Sequence, residues 1–180
     1  WSKVVDLELA APMIGVPPVW IAGIADKALY VVVDNQLTGI TASGDHMPFG
    51  GLGKVEDAIV TVDGRYIAVQ AMAEDCANPA AGAMLNPVAC LFLVDRADGE
   101  ILWRGETQPR IRLQTAHSVG GSNPSIEVVV EIASDGKTRT PDAPWVLNDL
   151  WTRKLARVNG EWTDTLKRFD PQEWGTEGFG

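Results

Sequence analysis

The chain has 180 residues, 46% of them hydrophobic and 22% charged, with a formal net charge of −9. These values suit one globular domain that can bury its own core, and they argue against disorder as the main state. They exclude a basic nucleic-acid surface, because no Lys/Arg cluster offsets the acidity, and no run approaches the ~20 apolar residues of a membrane span.

In chain order, the dominant pattern is apolar or β-branched runs broken by two-residue turn signals. Tyr30–Val33 is followed by Asp34-Asn35. Asp63-Gly64 separates Ala58–Val62 from Arg65–Ala71, and Asp98-Gly99 separates Val88–Val94 from Glu100–Arg104. Asp135-Gly136 lies between Ile126–Ala133 and Lys137–Thr140, and Asn159-Gly160 precedes Glu161–Phe169. Asn, Asp and Gly tolerate the positive φ of tight turns at least cost, so such pairs between strand-like runs predict hairpins.

Several runs also alternate with a period of two. Ile126, Val128, Val130 and Ile132 fall on one face and Glu127 and Glu131 on the other. Ile111 and Leu113 oppose Arg110, Arg112 and Gln114. That period marks half-buried strands, and the Arg and Glu faces are positioned to pair across a sheet.

Residues 142–160 carry two readings. Leu147, Leu150, Trp151, Leu155 and Val158 recur at spacings of three and four, with Asp142 and Pro144 at the start and Gly160 at the end. This predicts an amphipathic helix over about 144–158. The same Asn159-Gly160 pair equally predicts a hairpin between 150–158 and 161–169. The tail 170–180 is Trp/Gly-rich and reads as irregular.

Cys76 and Cys90 stand at the ends of a Pro/Gly/Ala-rich excursion. They form a candidate disulfide, while Cys90 within Val88–Val94 also suits a buried small hydrophobe. No second CxxC or His pair suggests zinc, and no metal or cofactor is expected. The chain starts at Trp1 and shows no signal peptide, which is read as processing or trimming. An exported location, periplasmic or extracellular, is expected, with a cytoplasmic one left open.

Two segments resemble known families. Leu91–Trp103 contains Asp95, Gly99 and Trp103 in the pattern D-x-x-x-G-x-x-x-W, which resembles the blade ending of quinoprotein-type propellers. The pattern occurs once, and 180 residues are too few for a ring of such four-stranded blades. Residues 64–106 are similar in rhythm to the central strands of NTF2-like cones, a family that implies isomerase or dehydratase chemistry in an apolar pocket and a start in long helices. Residues 1–60 instead look extended.

No complete catalytic motif is present: there is no GxSxG elbow, and Gly50–Lys54 lacks Walker spacing. The histidines are His46, beside Asp45 in a glycine-rich loop, and His117 at the end of a predicted strand. A histidine held by a carboxylate can act as a general base, so His46, His117 and Asp45 are the catalytic candidates. Among seven tryptophans, Trp103, Trp151 and Trp162, with Arg110 and Arg112, are the candidates for holding a ligand through flat apolar faces and charge.

The expected architecture is therefore a single mainly β domain, an antiparallel β-sandwich or barrel with hairpin connections. The leading functional expectation is a binding module of an exported or assembled protein, taking a small molecule, a carbohydrate or a protein partner, with homo-oligomers allowed. An isomerase, lyase or hydrolase using a His/acid pair is the second expectation. A structural subunit of a larger assembly is the third.

Overall fold

A computed structural model describes residues 19–77, 88–107, 111–119, 124–133 and 148–172. These residues form twelve strands in three four-stranded antiparallel sheets, with no helix among them. The first sheet holds β1 (Val19–Ala25), β2 (Ala28–Val33), β3 (Gln36–Thr41) and β4 (His46–Pro48). The second holds β5 (Lys54–Val60), β6 (Tyr66–Ala73), β7 (Val88–Asp95) and β8 (Ile101–Glu106). The third holds β9 (Arg112–Val119), β10 (Ser125–Ala133), β11 (Asn148–Val158) and β12 (Glu161–Arg168).

Within each sheet the strands hydrogen-bond in chain order, so each sheet is a simple meander. Local sequence accounts for the tightest connections. Asp34 and Asn35 both take positive φ between β2 and β3, as do Asn159 and Gly160 between β11 and β12. That is the type I′ requirement, and its twist matches that of the paired strands. Asp26 and Lys27 do the same between β1 and β2, a turn without a usual left-handed residue at its second position. Asp63-Gly64 and Asp98-Gly99 sit in longer hairpin loops, where only the glycine is left-handed. The Asp135-Gly136 signal and the Lys137–Thr140 run lie outside the described residues.

The helix expected over about 144–158 is corrected in its described part: Asn148–Val158 is strand β11, paired with β10 on one side and β12 on the other. The three-and-four spacing lost to a period of two. Trp151, Arg153 and Leu155 point toward the second sheet, and both Asn159 and Gly160 are left-handed, where a helix C-cap needs one such residue.

The second sheet is the middle layer. Its Ile67, Val69, Ala71, Phe92 and Val94 pack against Ala22, Tyr30, Val32 and Leu37 of the first sheet. Its Tyr66, Ala68, Leu91 and Leu93 pack against Leu113, Ile126, Val128 and Leu155 of the third. Burial on both faces explains why Val88–Val94 is apolar without interruption, whereas β9 and β10 alternate.

The first strands of successive sheets, β1, β5 and β9, lie next to one another. Gly23 makes the closest approach possible: a Cβ there would stand 2.7 Å from Val60 Cβ. Four-stranded meanders stacked with their first strands adjacent are also the build of propeller blades. Asp95 and Gly99 form the turn between the third and fourth strands of the middle sheet, with Ala97 N–H donating to Asp95 Oδ1 at 2.8 Å. Trp103 follows on β8, so the motif resembling a blade ending occupies the last hairpin of a sheet.

The Cys76–Cys90 disulfide is formed, tying the end of β6 to β7 across 14 residues with the Cα atoms 5.5 Å apart.

Candidate functional site

The elements meet most closely at the end of the stack where β1, β5 and β9 finish. Arg96, in the β7–β8 loop, donates to Tyr30 Oη at 3.1 Å, to the Gly64 carbonyl and to Asp26. One guanidinium thus ties the β1–β2 turn of the first sheet to the β5–β6 and β7–β8 loops of the middle sheet. On the other side Val62 N–H donates to the Ala116 carbonyl at 2.9 Å, and Ser118 Oγ donates to Asp63. Burial alone would push the Asp63 carboxyl up. Hydrogen bonds from Ser118, Thr61 and Arg65 N–H, with the Arg65 charge, outweigh it and hold Asp63 below the usual carboxylate range.

Two aliphatic side chains project beside these contacts, Ile24 from the end of β1 and Val62 from the β5–β6 loop. Ile24 is 74% exposed and Val62 is 80% exposed. Ile24 points away from the middle sheet, as does Ile21 on the same strand, because each pairs with a β2 residue (Leu29, Val31) that alternates with the inward Tyr30.

The two histidines do not converge. His46 is exposed on β4 of the first sheet, and the neighbouring Asp45 accepts from Ser43 and from Thr41 Oγ1 at 3.3 Å instead. His117 lies on β9, with the whole middle sheet between it and His46. Its face is the one turned away from the middle sheet, because Ala116 beside it packs inward. There the register aligns His117, Glu127 and Lys154 in one row across three strands. His117 Nε2 is 4.0 Å from Glu127 Oε2, and Lys154 Nζ is 3.4 Å from Glu127 Oε1. Glu127 is buried. A histidine beside a carboxylate can exchange a proton, and the lysine compensates the buried charge.

The tryptophan candidates are brought together, but on an interior seam. Trp103, Trp151 and Trp162 all pack against the core between the second and third sheets. Arg153 Cζ lies 5.0 Å from the centroid of the Trp103 ring. Its guanidinium binds Asp164 in bidentate fashion at 2.9 and 2.6 Å and donates to the Glu106 carbonyl at 2.8 Å. Gly105 makes this stack possible, since a Cβ there would stand 2.6 Å from the Trp103 ring. Arg112 is exposed on β9, and Arg110 lies outside the described residues.

Nearer the first strands of the same seam, Asp57 accepts Leu113 N–H from β9 and Ala58 N–H, both at 2.9 Å. Burial pushes its carboxyl above the usual range, and those two bonds with the Arg112 charge offset only part of the effect. Glu127, Lys154 and Asp57 were not separable in the sequence from ordinary surface charges. Each gains its setting from cross-strand register or a neighbouring sheet. Among the described residues, no three His, Cys, Asp or Glu side chains gather as a metal-binding group.

No protein-family model matches the chain, and no curated protein matches it significantly.

Proposed function

We propose that the chain is a protein-binding β module of an exported protein, built as consecutive propeller-type blades, and that it binds its partner where β1, β5 and β9 end. The observation that carries this reading is the pair Ile24 and Val62, 74% and 80% exposed at the end of β1 and in the β5–β6 loop, beside the contacts of Arg96 and Asp63. Exposed aliphatic groups on a fixed frame bury apolar area on binding without a large ordering cost. The disulfide suits an oxidising compartment, which supports export. No helix of the described residues is long and apolar enough to cross a membrane. The blade reading rests on the meander topology, the adjacent first strands and the placement of Asp95, Gly99 and Trp103.

The test starts from candidate partners recovered with the wild-type chain from the extracytoplasmic fraction, then purified and titrated. Ile24→Asp combined with Val62→Asp is expected to raise Kd at least tenfold, with Met47→Ser as a control of unchanged affinity. A partner bound equally well by the double variant sinks the proposal.

A second reading has its own observation, the His117–Glu127 pair. It makes this face of the third sheet a proton-transfer site of an isomerase, lyase or hydrolase. Under that reading His117→Gln and Glu127→Gln abolish any turnover found by substrate screening, and the Ile24/Val62 variants spare it.

A further inference from the structure

The first strands β1, β5 and β9 stand next to one another, so among the described residues the open edges of the three sheets are β4, β8 and β12. An edge strand presents a row of backbone N–H and C=O groups to any strand that can pair with it, and folds commonly blunt it with a short length, a proline or a bulge. β4 is three residues long and contains Pro48, and β8 shifts register against β7 at Leu93 and Val94. β12 has none of these protections. It runs for eight residues without proline, keeps one register with β11 from Glu161 to Arg168, and is exposed at every residue but Trp162. Phe169 N–H donates to the Leu150 carbonyl at 2.9 Å and continues the β11 ladder. Bonds to one neighbour alternate along an antiparallel strand, so the backbone groups of Glu161, Thr163 and Thr165 face β11 and those of Trp162, Asp164 and Leu166 face the open edge.

We infer that β12 is a self-association edge, along which two copies of the chain pair antiparallel and join their third sheets. The register with Asp164 on the twofold axis matches the open backbone groups of Trp162, Asp164 and Leu166 to those of the partner's Leu166, Asp164 and Trp162. Side chains directly opposite one another then share a face. On the face turned to the second sheet, Trp162 meets the partner's Leu166, and Leu166 is 51% exposed in the single chain. On the other face Glu161 meets the partner's Lys167, and Thr163 meets the partner's Thr165. Charge and apolar surface along β12 are thus complementary to a reversed copy of the same strand. The two Asp164 carboxylates meet at the axis, each already held by its own Arg153 at 2.9 and 2.6 Å, which compensates their repulsion. The edge is separate from the Ile24 and Val62 surface and does not rest on the function proposed for it.

The experiment is sedimentation equilibrium at loading concentrations up to roughly 0.5 mM, the range that an interface below the standard size calls for. The wild type should show a monomer–dimer equilibrium. Lys167→Glu alone and Glu161→Lys alone should each raise the dimer Kd about tenfold, because each places like charges opposite one another on both sides of the axis. An equimolar mixture of these two variants should associate as tightly as the wild type, since every opposed pair in the mixed dimer is again Glu with Lys. Leu166→Pro should abolish pairing, because the N–H it removes belongs to the open edge and not to the β11 ladder. The charge variants alter exposed side chains only, so they report on the edge even if Leu166→Pro fails to fold. Ile24→Asp should leave the equilibrium unchanged, and a dimer lost in that variant would place the contact elsewhere and overturn the inference. A wild type that stays monomeric over the whole range overturns it too, as does a mixture of the charge variants that associates no better than either alone.

Discussion

The two seams of the stack are built from different chemistry. Between the first and second sheets the contact is almost wholly aliphatic and aromatic, with Tyr30, Leu37, Phe92 and Val94 at its centre and Arg96 closing one end. Between the second and third sheets the apolar centre is flanked by Gln70, Asp57 and the Arg153–Asp164 pair, all partly or fully buried. An apolar seam is stabilised by area and tolerates sliding. A seam with buried polar groups is stable only in the register that satisfies them, so it fixes how the sheets align. The difference places shape specificity in the second seam and most of the non-specific stability in the first.

The largest expected effect falls on the apolar seam. Phe92→Ala should cost about 3–5 kcal/mol, measured by denaturant unfolding, because it empties a fully buried ring volume. A cost under 1 kcal/mol would mean that the two sheets do not pack through Phe92. Removing the disulfide with Cys76→Ala and Cys90→Ala should cost about 3 kcal/mol, the loop-closure entropy for a ring of this size. That loss should appear as a lower midpoint, and reductant should have no further effect on the variant.

The polar seam sharpens the contrast at a smaller scale. Arg153→Met should cost about 2 kcal/mol, less than a fully buried pair, because Asp164 retains some access to water. Adding Asp164→Asn to it should cost little more, as a double-mutant cycle would detect. Additive losses would show that the two side chains act independently.

The smallest effect depends on pH. Asp63 is held below the ordinary carboxylate value in the folded protein. Its stabilising contribution is therefore present above its unfolded pKa, near 3.9, and is lost as pH falls through its lower folded pKa. Asp63→Asn should be less stable than the wild type at pH 7, and the gap should narrow below about pH 4. A gap that widens with acid would reverse the assigned sign. Ser118→Ala should reduce the gap at pH 7, since it removes one of the bonds that stabilise the charge.

Much of the fold could be read locally, and most of the site could not. Asp34-Asn35 marked its hairpin because both residues adopt positive φ cheaply. Asp26-Lys27 makes the same turn and gave no such signal, because Lys reaches that region only when the strands on either side hold it there. Leu150, Trp151, Leu155 and Val158 fit a helix as well as a strand, and β10 decided between them by offering β11 a full ladder of partners. Trp103, Trp151 and Trp162 were equally suited to a ligand face or a core, and they lie half-buried at one seam, Trp103 on the second sheet and Trp151 and Trp162 on the third. His117 was visible as a candidate, but its carboxylate, Glu127, comes from another strand in a register that no local pattern encodes.

The sequence by itself determined that this is a mainly β chain of short antiparallel strands with a Cys76–Cys90 bridge within reach. Side-chain alternation, turn stereochemistry and chain separation are properties of neighbouring residues. Only the tertiary structure decided that the strands divide into three stacked meanders, that Ile24 and Val62 stay in solvent and that Gln70 is buried against Glu56. Those outcomes depend on which sheet faces which, and that is settled by the sum of contacts between residues far apart in the chain.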